Sequence, residues 1–251
     1  MTPSSQIPFR RGVVQPVECL KAGWNLVRDE YWLFVGMCAV GMIIGSAVPL
    51  GILMGPMMCG LYLAFFRKRR GLPIEFGTLF KGFDYFGQSV VAALLHVIPI
   101  MVVVVACYIF LYVGMFATMV AASQAGEEAA PVAMLSFVLI ILVFYAFILL
   151  LVILISVGFM FAYPLIVDRG VPGFDAVKLS FRAGFSNFWR LLGMSLLGGL
   201  LSIGGVLLCY IGIILVFPIT LSAVAVAYEQ VFGLSEPGDL APNLPPPPPT
   251  F

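Results

Sequence analysis

Long stretches without Asp, Glu, Lys or Arg constrain this chain more than any other feature. They cover residues 31–66, 87–123, 131–167 and 191–228. About 20 apolar residues suffice for a helix to cross the roughly 30 Å of bilayer hydrocarbon. Of the 251 residues, 62% are hydrophobic and 10% are charged, against about 45–50% and about 25% in soluble proteins. The sequence therefore predicts an all-α, polytopic helical membrane protein.

The apolar stretches predict about six transmembrane helices. Residues 31–66 and 191–228 each divide at a turn, near Pro49 to Gly51 and Cys209 to Gly212. Each of the two middle stretches would reach about 55 Å as one helix, and so would tilt strongly or project on the outer side. An alternative splits the first of them at Pro99 with a re-entrant segment. The predicted spans are 31–48, 51–66, 87–123, 131–167, 190–209 and 212–231.

The basic residues indicate the orientation. The loops on one side carry only Glu127 and Glu128, and no Lys or Arg. Because basic residues accumulate in cytoplasmic loops, both termini are expected in the cytoplasm. Residues 17–30 mix polar and apolar residues, unlike a signal peptide, so the first span should direct insertion. All 13 Lys and Arg residues lie at positions 10, 11, 21 and 28, at 67–70 and 81, and at 169, 178, 182 and 190.

A short amphipathic segment precedes each predicted hairpin. Apolar residues recur there at helical spacing, with Lys, Arg and acids predicted on the opposite face. Such segments either lie in the headgroup layer or pack their apolar faces on the bundle, and the sequence leaves both open. The apolar faces are Val17, Leu20, Trp24, Val27 and Tyr31; Phe76, Leu79, Phe80 and Phe83; and Phe174, Val177, Phe181, Phe185 and Phe188.

The two ends of the chain resemble each other. Aligned without gaps, Lys21 matches Lys178 and Trp32 matches Trp189, and the middle region shares Gly-x-Pro at 71–73 with 170–172. These matches predict three parallel repeats, each an amphipathic helix followed by a helical hairpin, within a single transmembrane domain at 15–233. The repeat-like units are 15–71, 72–170 and 171–233, with disordered ends at 1–14 and 234–251, the latter containing the polyproline run 245–249.

One pattern resembles a known family. From Arg169 to Gly205 the chain has Arg-Gly-x-Pro, an amphipathic helix, Asn-Phe-Trp and a glycine-rich hairpin. This is similar to uncharacterised bacterial inner-membrane proteins, the YciC-like proteins and the membrane domain of some glycerophosphodiester phosphodiesterases, over residues 15–233. The resemblance implies the bacterial inner membrane and envelope homeostasis. It brings no catalytic residues, and the soluble phosphodiesterase domain is not in this sequence.

The sequence contains no pattern typical of catalysis or of a cofactor. The predicted spans hold no Asp, Glu, Lys or Arg, whereas proton-coupled transporters and voltage sensors depend on such groups. Five cysteines without C-x-x-C spacing and one histidine argue against a Cys/His metal site. A net charge of +1 gives no basic field for nucleic acid. We therefore expect no catalytic residue, no cofactor, no metal and no nucleic-acid partner; protein partners are not predicted.

Three groups of residues remain as candidate sites. The first, Arg67, Lys68, Arg69 and Arg70, sets topology and is a candidate contact for anionic phospholipid headgroups. His96, close to Pro99, is either an intramembrane polar site or a histidine hydrogen-bonded between helices. Trp24, Trp32 and Trp189 are predicted as anchors at the membrane interface.

Two functions follow from these observations. The first is a non-enzymatic scaffold or accessory factor in bacterial envelope homeostasis that contacts anionic lipid. The alternative is a transporter or channel for a small or lipid-like solute, without a charged coupling site in the membrane. A closed core of Leu, Phe and Gly would favour the scaffold, and a continuous polar cavity would favour transport.

Overall fold

The computed structural model describes residues 7–48, 51–125, 130–207 and 211–235, which are mainly helical and contain no strand. Residues 49–50, 126–129, 208–210 and 236–251 lie outside these ranges. The turns predicted near Pro49 and Cys209, the acidic pair at 127–128 and the polyproline run 245–249 fall on them. The helices are α1 (Pro16–Val27), α2 (Tyr31–Ser46), α3 (Met54–Arg69), α4 (Phe86–Ala125), α5 (Ala130–Phe159), α6 (Ala162–Arg169), α7 (Gly173–Ser186), α8 (Phe188–Leu207) and α9 (Ile211–Phe232), with 3₁₀ turns at Arg28–Glu30 and Phe76–Tyr85.

Within the described residues, four helical stretches are long and apolar enough to cross a membrane. The prediction of an all-helical membrane protein is confirmed in this form. Helices α2 and α3 have 16 residues each, or about 24 Å at 1.5 Å per residue, which is short of the usual span. The four stretches are Phe76–Ala121, Met134–Arg169, Phe188–Gly205 and Gly212–Phe232.

The chain divides into two compact units. The first comprises residues 1–95 and 157–251, and the second comprises residues 96–156. The single transmembrane domain expected over residues 15–233 stays a prediction.

Aromatic side chains fill the core of the first unit. The rings of Phe34 on α2 and Phe65 on α3 stack with centroids 5.0 Å apart. Phe66 contacts Tyr228 of α9 at 5.5 Å, and Tyr228 in turn lies 6.2 Å from Phe161, just before α6. All five side chains are fully buried. Four helices are thus joined by one continuous aromatic cluster, which favours closed packing.

Small residues allow the short segments to lie directly on backbone. A Cβ at Gly23 of α1 would stand 2.7 Å from the backbone nitrogen of Ala223 on α9. A Cβ at Gly60 of α3 would overlap the carbonyl of Leu79 in the 3₁₀ segment, and one at Gly184 of α7 would lie 2.7 Å from the Val157 oxygen. Each short segment therefore packs through a site that tolerates only the smallest side chain.

Helices α3, α6 and α9 end in the same way. Each is followed by a glycine with left-handed backbone, with φ of 70° at Gly71, 62° at Gly170 and 70° at Gly233. Glycine, which has no Cβ, adopts this conformation without steric cost. Its backbone N–H then donates a hydrogen bond to one of the last carbonyls of the helix. The N–H of Gly233, for example, donates to the Glu229 carbonyl at 2.8 Å.

The segment before α1 differs from the disorder that we expected for residues 1–14. Of these, residues 7–14 are described, and Val14 is fully buried. The Arg10 N–H donates to the Val231 carbonyl at 2.8 Å, and the Gly12 N–H donates to the Asn187 side-chain oxygen at 2.6 Å. The amide nitrogen of Asn187 donates back to the Arg10 carbonyl at 3.3 Å. Reciprocal hydrogen bonds, rather than helical structure, order this segment.

In the second unit, α4 and α5 expose most of their apolar side chains. The rings of Phe110 and Phe144 stack at 4.4 Å, and the Phe137 ring lies 3.3 Å from where a Cβ would stand on Gly114. Val102 and Val143, at 63% and 72% exposure, represent the outward faces. Such faces are stable only in an apolar surrounding.

Candidate functional site

A buried carboxylate organises one end of the first unit. Asp168, in the last turn of α6, is 1% exposed. It accepts a hydrogen bond from Arg70 at 2.8 Å and from the Tyr228 hydroxyl at 2.9 Å. The Ser235 hydroxyl lies 2.7 Å from Oδ1 and the Ser235 N–H donates to Oδ2 at 3.2 Å, while Arg169 Nε stands 3.3 Å from Oδ2. We call these five residues the Asp168 cluster.

The Asp168 cluster joins the ends of α3, α6 and α9. Arg70 directly follows α3, and Tyr228 lies in the last turns of α9. Arg169 also donates to the Phe232 carbonyl at 3.0 Å. A buried carboxylate is tolerated only when it is paired and hydrogen-bonded, and here every donor comes from a neighbouring segment. The cluster is therefore a structural tie rather than an accessible acid.

Sequence reasoning missed Asp168 as a site. It directly follows the apolar stretch 131–167 and precedes Arg169 and Gly170, a position that is also typical of a solvated loop acid. Asn187, which orders the N-terminal segment, was noted only as part of the Asn-Phe-Trp pattern. The feature that could have indicated a buried carboxylate is the position of Asp168 directly after the apolar stretch 131–167. The local sequence does not show which helix ends surround this residue in the fold.

The basic run 67–70 is largely neutralised by acids from elsewhere in the chain. Lys68 contacts Glu30 at 2.6 Å and Arg69 contacts Glu229 at 2.7 Å, while Arg70 belongs to the Asp168 cluster. Arg67 Nε is buried without a hydrogen-bond partner. Lipid contact by these four residues stays a prediction. Three of their charges already serve ion pairs within the protein.

The exposed cations lie beside exposed apolar residues. On α1, Val17, Lys21, Trp24 and the following Arg28 are all exposed and recur at spacings of four, three and four residues, which places them on one stripe of the helix. The side buried in α1 instead holds Cys19, Gly23 and Val27. The predicted assignment of Lys21 and Arg28 to the face opposite Val17 and Trp24 is wrong, because small residues make the protein contact and leave the large ones outside.

The other two segments show the same arrangement. In α7, Phe174 is 63% exposed and Phe185 is 47% exposed, and Lys178 and Arg182 are exposed at matching helical spacing. The buried residues of α7 are Gly173, Ala176, Val177, Leu179, Ser180, Ala183 and Gly184. In the 3₁₀ segment, Thr78, Leu79 and Gly82 are buried, whereas Phe76, Phe80, Lys81 and Phe83 are exposed. We call the three exposed surfaces the cation–aromatic stripes.

The three tryptophans are exposed to different degrees. Trp24 is 44% exposed, Trp32 75% and Trp189 80%. Trp24 and Trp32 flank the ring of Tyr31 at 5.5 and 5.6 Å, and the Tyr31 hydroxyl donates to the Leu215 carbonyl at 2.7 Å. Their place at the membrane interface remains a prediction, and their exposure is compatible with it.

The structure does not bring His96 into a cluster of metal-ligating groups. His96 is half-buried on α4, three residues before Pro99. Among the described residues, no three His, Cys, Asp or Glu side chains come together as metal ligands. Its assignment as an intramembrane polar site remains a prediction.

An open groove of 450 Å³ lies where the N-terminal segment meets α1. Its walls carry two cations, Lys21 and Arg190, and one carboxylate, Glu18. Arg190 donates to the Val14 carbonyl at 3.1 Å, which fixes the direction of its guanidinium. The remaining walls are Val14, Gln15, Pro16 and Val17.

Comparisons with protein-family models, with curated proteins and with solved structures find no match for this chain.

Proposed function

We propose that this protein is a non-enzymatic scaffold of the bacterial inner membrane that takes part in envelope homeostasis. The stripes of α7 and of the 3₁₀ segment lie in the cytoplasmic headgroup layer and contact anionic phospholipid. So does the start of α1, where the Gln15 N–H donates to the Gln230 side chain near the end of α9, while the rest of α1 packs along α9. The single observation that carries the proposal is the exposure of large aromatic side chains beside Lys and Arg on the same stripe, as at Phe174, Lys178, Arg182 and Phe185.

Exposure of these aromatic rings has a physical reason in the headgroup layer. Trp and Tyr prefer the boundary between water and hydrocarbon, and helices that lie at this boundary bury Trp, Phe and Leu side chains between the headgroups and the acyl chains. A basic residue near an anionic surface adds about 1 kcal/mol of attraction. Packing of the aromatic faces on the bundle was the other prediction from sequence. The buried faces of α1, α7 and the 3₁₀ segment consist of small and aliphatic residues without an aromatic ring, which favours the headgroup layer for the exposed rings.

We also propose six spans in three parallel units. Matched helix ends support this arrangement: Gly71, Gly170 and Gly233 all follow a returning helix in left-handed conformation. The packing of the short segments supports it too. The short segment of each unit lies on the returning helix of another unit. Leu79 of the second unit contacts Gly60 of the first, Phe181 of the third contacts Gly158 of the second, and Gly23 of the first contacts Ala223 of the third.

Both termini belong to the cytoplasmic side in this proposal. The hydrogen bond from the Arg10 N–H to the Val231 carbonyl supports placing the start of the chain and the end of α9 on one side. The concentration of Lys and Arg in the segments on that side supports its assignment as cytoplasmic. The bacterial inner membrane is part of the proposal and follows from the family resemblance.

The core of the first unit disfavours a solute pathway through it. Phe34, Phe65, Phe66, Phe161 and Tyr228 are each fully buried and contact one another in a continuous cluster. A pathway would need polar groups or water along its length. We therefore expect reconstituted protein to give no ion or lipid flux above that of empty vesicles.

Lipid retention during purification tests the proposal. The full chain is purified from bilayers that contain phosphatidylglycerol, and the bound lipid is counted by native mass spectrometry. A variant with Lys81→Gln, Lys178→Gln and Arg182→Gln should retain several-fold less of this anionic lipid, since each lost cation removes about 1 kcal/mol, or about fivefold, at its own contact. The matched control is Arg69→Gln, which removes a cation paired with Glu229 and should retain lipid like wild type.

The result that would contradict the proposal is equal retention by wild type, the triple variant and the control. Cysteine labelling tests the topology separately. In a variant whose five native cysteines are replaced by Ala, a cysteine introduced at Arg11 or at Pro237 should react only from the cytoplasmic side, and one at Ile52 only from the opposite side. Labelling of positions 11 and 237 from opposite sides would exclude the six-span arrangement.

A further inference from the structure

The groove at the start of α1 carries charges of both signs on a surface that the protein leaves open. Lys21 and Arg190 bring positive charge, and Glu18, one helical turn from Lys21, brings negative charge. All three side chains are exposed. A purely anionic ligand would be attracted by the two cations and repelled by the carboxylate, so the charge pattern favours a ligand with both signs.

The Glu18 carboxylate is held in place from one side. With its amide nitrogen turned toward Glu18, the Gln15 side chain donates to Oε1 at 2.8 Å. An ionised carboxylate has about four acceptor positions, so acceptor positions remain for a further donor. Because Glu18 lines the groove, a donor bound there can use them.

The positive side of the groove is suited to a phosphodiester. The Arg190 guanidinium uses one nitrogen on the Val14 carbonyl and has five N–H donors in all. Lys21 adds a point charge from the adjacent wall. The N–H groups of Val17 and Glu18, in the first turn of α1, have no acceptor within the helix. The first hydrogen bond of the helix runs from the Cys19 N–H to the Gln15 carbonyl, at 2.9 Å.

The groove continues into apolar surface. Val17, one of its walls, is 53% exposed and heads the cation–aromatic stripe of α1, which leads on to Trp24. Pro16, which also lines the groove, lies 3.6 Å from where a Cβ would stand on Gly193 of α8. A headgroup in the groove would therefore have its acyl chains beside apolar side chains of α1 and α8.

The geometry points to a binding site for a glycerophospholipid whose headgroup joins a phosphodiester to a primary ammonium, as in phosphatidylethanolamine. Lys21 and Arg190 bind the phosphate, and Glu18 accepts hydrogen bonds from the ammonium. Glu18 should select ethanolamine lipids over choline lipids, because the trimethylammonium group of choline has no N–H to donate to the carboxylate. The inference relies on the proposed function for placing α1 in the headgroup layer, but it concerns a different class of lipid.

Competition between lipids tests this site. The full chain is placed in nanodiscs with equal amounts of phosphatidylethanolamine, phosphatidylcholine and phosphatidylglycerol, and the retained lipids are counted by native mass spectrometry. Wild type should retain the ethanolamine lipid about tenfold over the choline lipid, the factor expected for one charge-assisted hydrogen bond. N-methyl and N,N-dimethyl ethanolamine lipids should give intermediate retention.

Variants separate the groove from general attraction to the membrane. Glu18→Gln should bring the ethanolamine-to-choline ratio close to one without lowering phosphatidylglycerol retention. Arg190→Gln should lower retention of both zwitterionic lipids. The control, Lys178→Gln with Arg182→Gln on α7, should lower phosphatidylglycerol retention and leave the ethanolamine-to-choline ratio unchanged.

Two outcomes would overturn the site. One is an equal retention of ethanolamine and choline lipids by wild type. The other is displacement of bound lipid by millimolar phosphoethanolamine, which would assign the groove to a soluble phosphate ester. If the ethanolamine preference is present while retention of phosphatidylglycerol is insensitive to Lys81, Lys178 and Arg182, the groove stands and the proposed anionic contact fails.

Discussion

Arg70 and Asp168 form a buried ion pair, 2.8 Å long, between residues 98 positions apart in the sequence. The Asp168 side chain is fully buried and that of Arg70 is 11% exposed. Arg70 directly follows α3, and Asp168 lies in the last turn of α6. This contact, shared with Tyr228 of α9, connects the ends of three helices whose other contacts are mainly apolar.

Removal of one member of the pair should strongly destabilise the protein. Arg70→Met leaves the Asp168 carboxylate buried without its main cation, a change that typically costs about 3–5 kcal/mol. The expected result is a lower midpoint in thermal unfolding of the detergent-solubilised protein. The matched control, Arg69→Met, removes a half-exposed pair with Glu229 and should cost about 0–1 kcal/mol.

The double variant separates the charge from the packing. Arg70→Met with Asp168→Leu removes both charges of the pair and should recover part of the stability lost by Arg70→Met alone. No unpaired carboxylate then remains buried, and Arg169 keeps its hydrogen bonds to the Phe232 and Gly233 carbonyls. A destabilisation by Arg70→Met no larger than that by Arg69→Met would show that the Asp168 cluster is not the tie that we describe.

Gly60 should be intolerant of even one methyl group. A Cβ there would overlap the Leu79 carbonyl, which belongs to the backbone of the 3₁₀ segment and cannot rotate away. Gly60→Ala should therefore lower stability by about 1–3 kcal/mol and increase protease cleavage within residues 76–85. The control is Gly77→Ala in the same segment, since a Cβ there meets nothing within 4 Å. Equal behaviour of the two variants would contradict the close packing.

The tryptophans should report the depth of the headgroup layer. In variants that keep only Trp24 or only Trp189, the others being replaced by Phe, lipids brominated near the headgroup should quench fluorescence more than lipids brominated near the chain ends. The reason is that these exposed side chains, at 44% and 80%, adjoin Lys21 and Arg190, whose charges stay near water. Stronger quenching from the chain ends would place them too deep for the proposed stripes.

Much of the fold could be predicted from the sequence, because lipid requires long apolar helices and the chain supplies them. The helices α8 and α9 fall close to the predicted spans 190–209 and 212–231. The faces of α1 could not be predicted correctly. Periodicity identifies apolar stripes but cannot show that Gly23 and Cys19, rather than Trp24, fit against the backbone of α9.

The partners of charged residues were also beyond the sequence. Lys68, Arg69 and Arg70 are adjacent in the chain, which suggested a common role in lipid binding. Each instead reaches an acid from a different segment, Glu30, Glu229 or Asp168. Adjacent residues at a helix end point in different directions, so only the tertiary arrangement of the neighbouring helix ends decides which acid each one meets.

Cys19 should react slowly with alkylating reagents. Burial raises the pKa of its thiol above the ordinary value of 9.0, and the nearby Glu18 carboxylate raises it further. Only the thiolate is nucleophilic, so iodoacetamide labelling of Cys19, followed by peptide mass spectrometry, should increase with pH beyond 9.0. Glu18→Gln removes the carboxylate and should speed labelling, whereas the control Asp175→Asn on α7 should not.

The same pKa shift makes stability depend on pH in a defined direction. At pH values below 9.0 the thiol of Cys19 is protonated in both the folded and the unfolded chain, and the stabilisation linked to the raised pKa is fully present. Above 9.0 the unfolded chain loses this proton while the folded protein keeps it, so that the free energy of unfolding falls as the pH rises toward the folded pKa. Cys19→Ala should remove this part of the alkaline loss. A labelling rate for Cys19 equal to that of the protein unfolded in dodecyl sulfate would contradict both expectations, because it would mean that the thiol is neither buried nor shifted.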